Sequence, residues 1–158
     1  MHSGMTAKPK RPVSVFLSYV QKDEALKQEF EDYLAILQQA QLISGWVERQ
    51  IQQGMGWSQT IDPRMLAADL ILLMVSPGLL ASGYCSGAEF HEAFERNKTR
   101  KEAALIPISL HYVNLQGNLL ESIACTPYRP VSSWSDRHEG WRIVDWNIRH
   151  VITHHFDT

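Results

Sequence analysis

An α/β fold around a mostly parallel central sheet is what this chain predicts, and three observations lead there. The run Leu70-Ile71-Leu72-Leu73-Met74-Val75 is apolar without alternation, which suits a strand covered on both faces. Strand-like stretches are separated by stretches of helical apolar spacing, which implies right-handed crossovers and parallel neighbours. A length of 158 residues, 44% apolar and 20% charged, fits one globular domain with a real core.

Each element has its own reason. Residues 13–19 (VSVFLSY) are β-branched and aromatic-rich, a first strand. Asp23 and Glu24 suit the positive end of a helix, and Leu26, Phe30, Tyr33, Leu34 and Leu37 give that helix one apolar face. A short second strand is expected over 43–47, then a polar loop over 48–57 with Gly54 and Gly56. With Thr60 as N-cap, Pro63 falls in the first turn of the next helix, where its missing N–H costs nothing. The third strand is 70–75 and a helix follows over 87–100. The fourth strand is 104–109, and Pro107 asks for an edge or near-edge place. Residues 111–126 are ambiguous apart from a short helix near 119–124, and 128–131 read as a minimal fifth strand. Trp141, Val144, Ile148 and Ile152 mark a final amphipathic helix.

This rhythm predicts a flavodoxin-like three-layer sandwich, a five-stranded mostly parallel sheet with helices on both faces. Residues 1–12 read as a flexible leader, kept out of regular structure by Pro9 and Pro12, with its first residues an expression remnant and Met5 the natural start. Residues 13–158 read as one domain. In such sheets ligands collect beyond the carboxyl ends of the strands. Three segments are expected at that edge: Ser18-Tyr19, Trp46 to Glu48, and Ser76 to Glu89. Glu89, at the opening of the helix after the third strand, is the foremost candidate for a working residue; the plainer reading is an exposed carboxylate at a helix N-terminus.

Several chemistries drop out. A formal charge of -2 gives no electrostatic case for nucleic acid or an anionic membrane. No apolar run approaches the roughly 20 residues of a membrane span, and no signal-peptide pattern opens the chain. Neither Gly-rich phosphate cradle is present. A phospho-acceptor receiver would carry acidic residues where this chain has Ser18-Tyr19 and Val75-Ser76. His150 and His154 have helical ligand spacing, with His155 beside them but no third ligand, so no metal is expected. Cys85 and Cys125 make no disulfide framework, which points to a reducing, cytoplasmic setting; Cys85 has no signature partner base and reads as a packed thiol.

Taken together, VFLSY at the first strand, GWVERQIQQGMGW through the second strand and its loop, and LLMVSPGLLASGYCSGAEF resemble the TIR (Toll/interleukin-1 receptor) domain of the bacterial type over about residues 13–152. The resemblance implies two function classes. Some TIR domains cleave NAD at the nicotinamide–ribose bond; others are scaffolds that signal by assembling with other TIR domains. The enzymes use one glutamate on the helix after the third strand, and Glu89 is its match, so the branch expected here is the NAD-cleaving one, with NAD as substrate and no cofactor. Carried over with it as substrate-binding positions are Ser18, Tyr19, Trp46, Glu48, Gly54, Ser76, Tyr84 and Cys85.

For Tyr19 the alternative is a half-buried packing aromatic, for Ser18 a capped turn, and for Trp46 packing at a strand end. Glu48 stands where an aspartate is common. Residues 48–57 correspond to the family's BB loop, which gates the pocket and contacts a neighbouring subunit. Cys85 occupies a position where active members carry a tryptophan, leaving Tyr84 to supply an aromatic face and the choice between linear and cyclic product open. The expected function is an NAD nucleosidase activated by self-association, the effector module of a bacterial immune protein cut from a longer chain with a sensor or oligomerising domain. The alternatives are a non-catalytic TIR scaffold and, more plainly, a flavodoxin-like binding domain without NAD chemistry.

Overall fold

The computed structural model describes residues 11–52, 59–99 and 103–156. Strands β1 (Val13–Val20), β2 (Ile43–Ile51), β3 (Leu70–Val75) and β4 (Ala104–Ser109) pair in parallel in the order β2-β1-β3-β4. Between and after them lie α1 (Glu24–Gln39), α2 (Pro63–Ala67), α3 (Pro77–Ser82), α4 (Ala88–Thr99) and α5 (Arg137–His155). Strand side chains alternate between faces, and the two faces collect separate cores. Val15, Leu17, Leu72 and Met74 meet Phe30 and Leu34 of α1 and Trp141, Val144 and Ile148 of α5. Phe16, Ile71, Leu73 and Val75 meet Met65 of α2, Leu79 of α3, and Phe90 and Ala93 of α4. Trp141 is wholly buried and stacks on Phe30 with ring centroids 5.1 Å apart. Burying a side chain of this kind contributes about 1.5–3 kcal/mol, and β3, buried at all six positions, is the sheet's centre of gravity.

The sheet has four strands, and the expected fifth strand over 128–131 does not form. Pro130 removes an N–H group from that stretch and Pro127 another just before it, and a ladder cannot continue without them. One bridge remains: Ser109 N–H donates to the Thr126 carbonyl at 2.8 Å, and Thr126 N–H donates to the Pro107 carbonyl at 3.0 Å. Residues Val131–Ser133 turn as a 3-10 helix instead. Pro107 lies on β4, the terminal strand of the sheet, where an absent N–H is tolerated.

Two further boundaries differ from expectation. Asp62, not Thr60, caps α2: its carboxylate accepts the Arg64 N–H at 2.9 Å, with Pro63 at the first helical position. And β2 runs to Ile51, through residues whose charge made them read as loop. Glu48 and Arg49 can stay in a strand because each finds an opposite charge on its own face.

On the α1 face that partner is Lys27. Its ammonium lies 2.9 Å from Glu48, 2.6 Å from Glu31 and 3.2 Å from Glu24, and 5.0 Å above the Tyr19 ring. Burial alone would lower the Lys27 pKa, but the three carboxylates raise it on balance. Burial pushes Glu24 and Glu48 upward, but the hydrogen bonds of Lys27, with those of Tyr19 and Gln28 to Glu24 and of Glu31 and Trp46 to Glu48, and the Lys27 charge together outweigh it, so both titrate below the ordinary 4.5. A depressed carboxyl pKa stabilises the fold above its unfolded value and loses that stabilisation as pH falls through the folded value. Lys27→Met is expected to cost about 2 kcal/mol, less than for a fully buried cluster because the carboxylate side chains are 33–37% exposed. Urea denaturation should also show a flatter loss of stability below pH 4.5 in the variant than in the wild type. An unchanged acid limb would show that the cluster contributes nothing.

Candidate functional site

The site is assembled on the other face of the sheet, from four chain segments. Ser18 of β1 stands in register with Arg49 of β2 and Leu73 of β3. Beyond β3 the chain forms α3, and Gly83 at φ 83 makes the left-handed turn that ends it. Ser82 Oγ donates to the Leu79 carbonyl at 2.6 Å and accepts the Tyr84 N–H at 3.2 Å. This fixes the 3-10 turn Tyr84–Ser86 and points the Tyr84 ring inward, edge-on to Phe90. Gly87 then leads into α4, whose second residue is Glu89.

Glu89 is 3% exposed and both carboxylate oxygens are occupied. Oε1 accepts the Asp62 N–H at 2.9 Å and an Arg49 Nη2 hydrogen at 3.2 Å. Oε2 accepts the Tyr84 hydroxyl at 2.5 Å and Arg49 Nε at 3.3 Å. The Arg49 fork is bidentate, and the N-terminal turn of α4 adds a favourable dipole. Asp62 in turn holds Arg64 at 2.7 Å, which lowers the Asp62 pKa. Burial, followed by the negative charge of Glu89, pushes the Tyr84 phenol well above its ordinary 10, so it stays a donor. Ser18 lies beside that phenol and is wholly buried, yet its Oγ makes no hydrogen bond of good geometry among the described residues.

The other positions singled out from sequence divide cleanly. Ser18, Tyr84 and Glu89 come together. Tyr19, Trp46 and Glu48 do not join them: strand alternation turns these three to the α1 face, where Trp46 Nε1 donates to Glu48 at 3.2 Å and Tyr19 lies under Lys27. Ser76 caps α3 at the carboxyl edge, accepting the Leu79 N–H at 3.2 Å and donating to buried Asp23 at 2.5 Å. Cys85 is half-buried against the second core, and burial, weakly opposed by Asn118, pushes its thiol up to about 11. Such a thiol is neutral near pH 7 and is no nucleophile. Gly54, with Gly56 and Trp57 of the same stretch, lies outside the described residues.

Two residues further along β1 and β2 than Ser18 and Arg49, at the carboxyl ends of these strands, begins an opening of about 210 Å³ lined by Val20, Gln21, Lys22, Ile51, Gln52 and Gly78, none of them a member of the Glu89 cluster. A Cβ on Gly78 would stand 3.1 Å from Val20 Cγ2, so the small residue keeps that wall close. Among the described residues no group of three or more His, Cys, Asp or Glu is placed to hold a metal. No described helix is long and apolar enough to cross a membrane.

Arg49 and Asp62 are the site residues that sequence reasoning missed. Arg49 was hidden by ending β2 too early; carrying the period-2 alternation past Glu48 would have turned it towards Glu89. Asp62 was visible as the residue before Pro63, a favoured N-cap and N1 pair.

If the Arg49–Glu89 pair is energetically coupled, Arg49→Met and Glu89→Gln should each destabilise by about 2–3 kcal/mol, and the double variant by clearly less than their sum. A coupling of about 1–2 kcal/mol from urea denaturation is expected. Strict additivity would mean that the pair is merely adjacent.

The TIR domain family matches residues 15–141. "Uncharacterized protein y4lF" of Sinorhizobium fredii (strain NBRC 101917 / NGR234) is 33% identical over 138 residues, which are 86% of this chain and 42% of that protein. The chain therefore spans under half the length of this relative. No solved structure matches. With the family matched across most of the sheet and both helical layers, the chain belongs to the TIR domain family.

Proposed function

We propose that this chain is a TIR domain of bacterial type that cleaves the nicotinamide–ribose bond of NAD, with Glu89 as its catalytic carboxylate and self-association as its activator. The observation that carries the reading is a buried carboxylate, ringed by donors, at the N-terminus of α4 beside the carboxyl edge of a parallel sheet. Bacterial members of the family include NAD-cleaving enzymes, and their glutamate falls at this position.

The chemistry asks little more. The ribose C1′–N bond breaks with its electron pair passing to the pyridinium nitrogen, so nicotinamide leaves neutral and no general acid is required. Positive charge develops at C1′ as oxocarbenium character, and a nearby carboxylate stabilises it. Water then adds at C1′ and releases a proton, giving ADP-ribose; capture by an adenine nitrogen of the same molecule gives a cyclic isomer instead.

Two features of the site explain why assembly belongs to the reading. Both Glu89 oxygens already accept hydrogen bonds, so a ribose must displace a donor, and the Arg49 contacts at 3.2 and 3.3 Å are the longest. The neighbouring opening, about 210 Å³, is smaller than the roughly 300–1,000 Å³ of ligand pockets, so a dinucleotide needs it widened or completed by a neighbour's surface. The wider setting follows the same reading: a cytoplasmic effector module in bacterial immunity, joined in its full protein to a sensor or oligomerising domain. A second reading, a non-catalytic scaffold acting through TIR–TIR contact, is favoured by the saturation of Glu89 and its 3% exposure.

NAD consumption with product identification, at high protein concentration and with a crowding agent, separates the two. The expected result is nicotinamide release by the wild type and a loss of roughly 100-fold or more in Glu89→Ala. The mass and retention of the second product identify it as linear or cyclic. No release from a preparation shown to assemble selects the scaffold, and equal turnover in both proteins removes Glu89 from the mechanism.

A further inference from the structure

The outer edge of β4 is only partly paired. The N–H and C=O of one strand residue point to the same side, and here the even residues face β3. Ala104 N–H donates to the Asp69 carbonyl, and Leu110 N–H to that of Val75, both at 3.0 Å. Leu105, Pro107 and Ser109 therefore face outward. Ser109 N–H and the Pro107 carbonyl are both taken by Thr126, the remnant of a fifth strand. One step upstream a ladder needs the N–H of residue 107, and proline has none, so pairing stops at this bridge. Leu105 is left over. Its N–H donates to Asn97 Oδ1 at 2.8 Å, but its carbonyl, in a residue 4% exposed, meets no donor among the described residues. A buried backbone acceptor without a partner is uncommon and calls for a donor.

Leu105 borders an opening of about 250 Å³ whose walls include Asn97 of α4, Ile123, Cys125, and Asn147 and Val151 of α5. No lining residue is Asp, Glu, Lys, Arg or His. Burial raises the Cys125 thiol pKa, so that group too is neutral near pH 7. The volume falls below the roughly 300–1,000 Å³ of drug-sized sites, which leaves room for one ring and not for a nucleotide. Two carboxamides on the walls are half used. Leu105 N–H holds Asn97 Oδ1, which fixes the orientation of that amide, and Asn147 Nδ2 donates to Thr126 Oγ1 at 2.6 Å. Asn97 Nδ2 and Asn147 Oδ1 have no partner among the described residues.

We infer that this opening binds a neutral primary carboxamide carried on a single ring, and that nicotinamide is such a ligand. A primary carboxamide holds the complement of the site in one small group: a carbonyl for Asn97 Nδ2, and two N–H bonds for the Leu105 carbonyl and Asn147 Oδ1. An extended peptide fits less well. One of its residues can give an N–H to Leu105, but the carbonyl of that residue then faces the missing N–H of Pro107. A carboxylate fits worse still, since it brings no N–H and would lose its hydration where no cation lines the walls. The choice of nicotinamide rests on the proposed function, which releases it; the carboxamide class rests on the opening alone. Asn97 lies eight residues beyond Glu89 on α4, about 12 Å along the helix, so this site is separate from the one that would cleave NAD.

Titration of the nitrogen-15-labelled chain with nicotinamide, benzamide and nicotinate, followed by NMR, tests this without NAD. Nicotinamide and benzamide should shift the backbone signals of 104–106 and 123–126 saturably, with a dissociation constant of about 1 mM or tighter. Nicotinate should bind at least roughly tenfold more weakly. Asn97→Asp keeps an acceptor for Leu105 N–H but removes the donor, and should weaken nicotinamide by roughly tenfold or more. Ala124→Trp, at an exposed position on the wall, should fill the opening and abolish binding. Thermal melting checks that both variants fold, and if Asn97→Asp does not, Ala124→Trp decides alone. The inference is overturned if no signal saturates by about 20 mM nicotinamide, or if nicotinate binds equally well. It is overturned too by binding indifferent to the substitutions, or by shifts centred on Ser18, Tyr84 and Glu89 that vanish in Glu89→Ala. A chain that binds nicotinamide at β4 yet releases none from NAD removes the proposed function and leaves this site standing. NAD cleavage without this binding does the reverse.

Discussion

Everything distinctive about this domain depends on β2 being an edge strand with a charge on each face. The central strand β3 is apolar on both sides, as a parallel strand between helical layers must be. Along β2 the alternation sends Glu48 to the α1 layer and Arg49 to the α2 and α4 layer. Each would be costly so close to the core without a partner. Lys27 meets the first and Glu89 the second, so one strand nails down both layers and the two charge clusters are mirror consequences of one period-2 rule. Shifting β2 by one residue would reverse both, placing carboxylate against carboxylate at Glu89.

The two clusters are nevertheless different in kind. Around Lys27 a single buried cation is shared by three carboxylates that keep contact with water. Around Glu89 the anion is the buried member, and its partners are a guanidinium, a phenol and a backbone N–H. Taking a carboxylate out of water carries a penalty of several kcal/mol, and structure alone would be served as well by an apolar side chain of the same volume. A buried anion with directional donors is what a developing positive charge on a ribose would meet most strongly, because little water remains to screen it. Under the proposed function, the desolvation that makes Glu89 a poor choice for stability is what would let it act strongly on that charge.

Much of this was legible in the sequence, and the misses have physical causes. The unbroken apolar run of β3, the helical spacing of α1 and α5 and the strand–helix rhythm are signals that burial itself writes, and they located the sheet and its layers. Glu89 could be placed because it follows a buried strand and opens a helix. The fifth strand expected over 128–131 does not form, because Pro130 and the preceding Pro127 lack N–H groups that a ladder needs. The end of β2 was misread because Glu48, Arg49 and Gln50 look like loop until their partners on α1 and α4 are known, and those contacts span 21 and 40 residues. Tyr19, Trp46 and Glu48 were grouped with Glu89 because topology brings them to one edge; only the alternation of side chains separates the faces.

The donors around Glu89 also have a telling distribution along the chain. Arg49 lies four residues before the segment 53–58 and Asp62 four residues after it, and both bind the same carboxylate. Glu89 therefore ties the two flanks of that segment to each other and to the start of α4. Under the proposed function, a ribose reaching Glu89 must displace one of these donors. The Arg49 bonds, longer than that of Asp62 N–H at 2.9 Å, are the ones that yield with least loss. A carboxylate released by Arg49 is still held by Asp62 at one oxygen and Tyr84 at the other, so under the proposed function it keeps its position while each oxygen gains one free acceptor site for the ribose. On the proposed reading, activation by assembly needs no long-range conformational wave: lock and catalytic group would be the same two side chains, and drawing Arg49 aside would be enough to separate them.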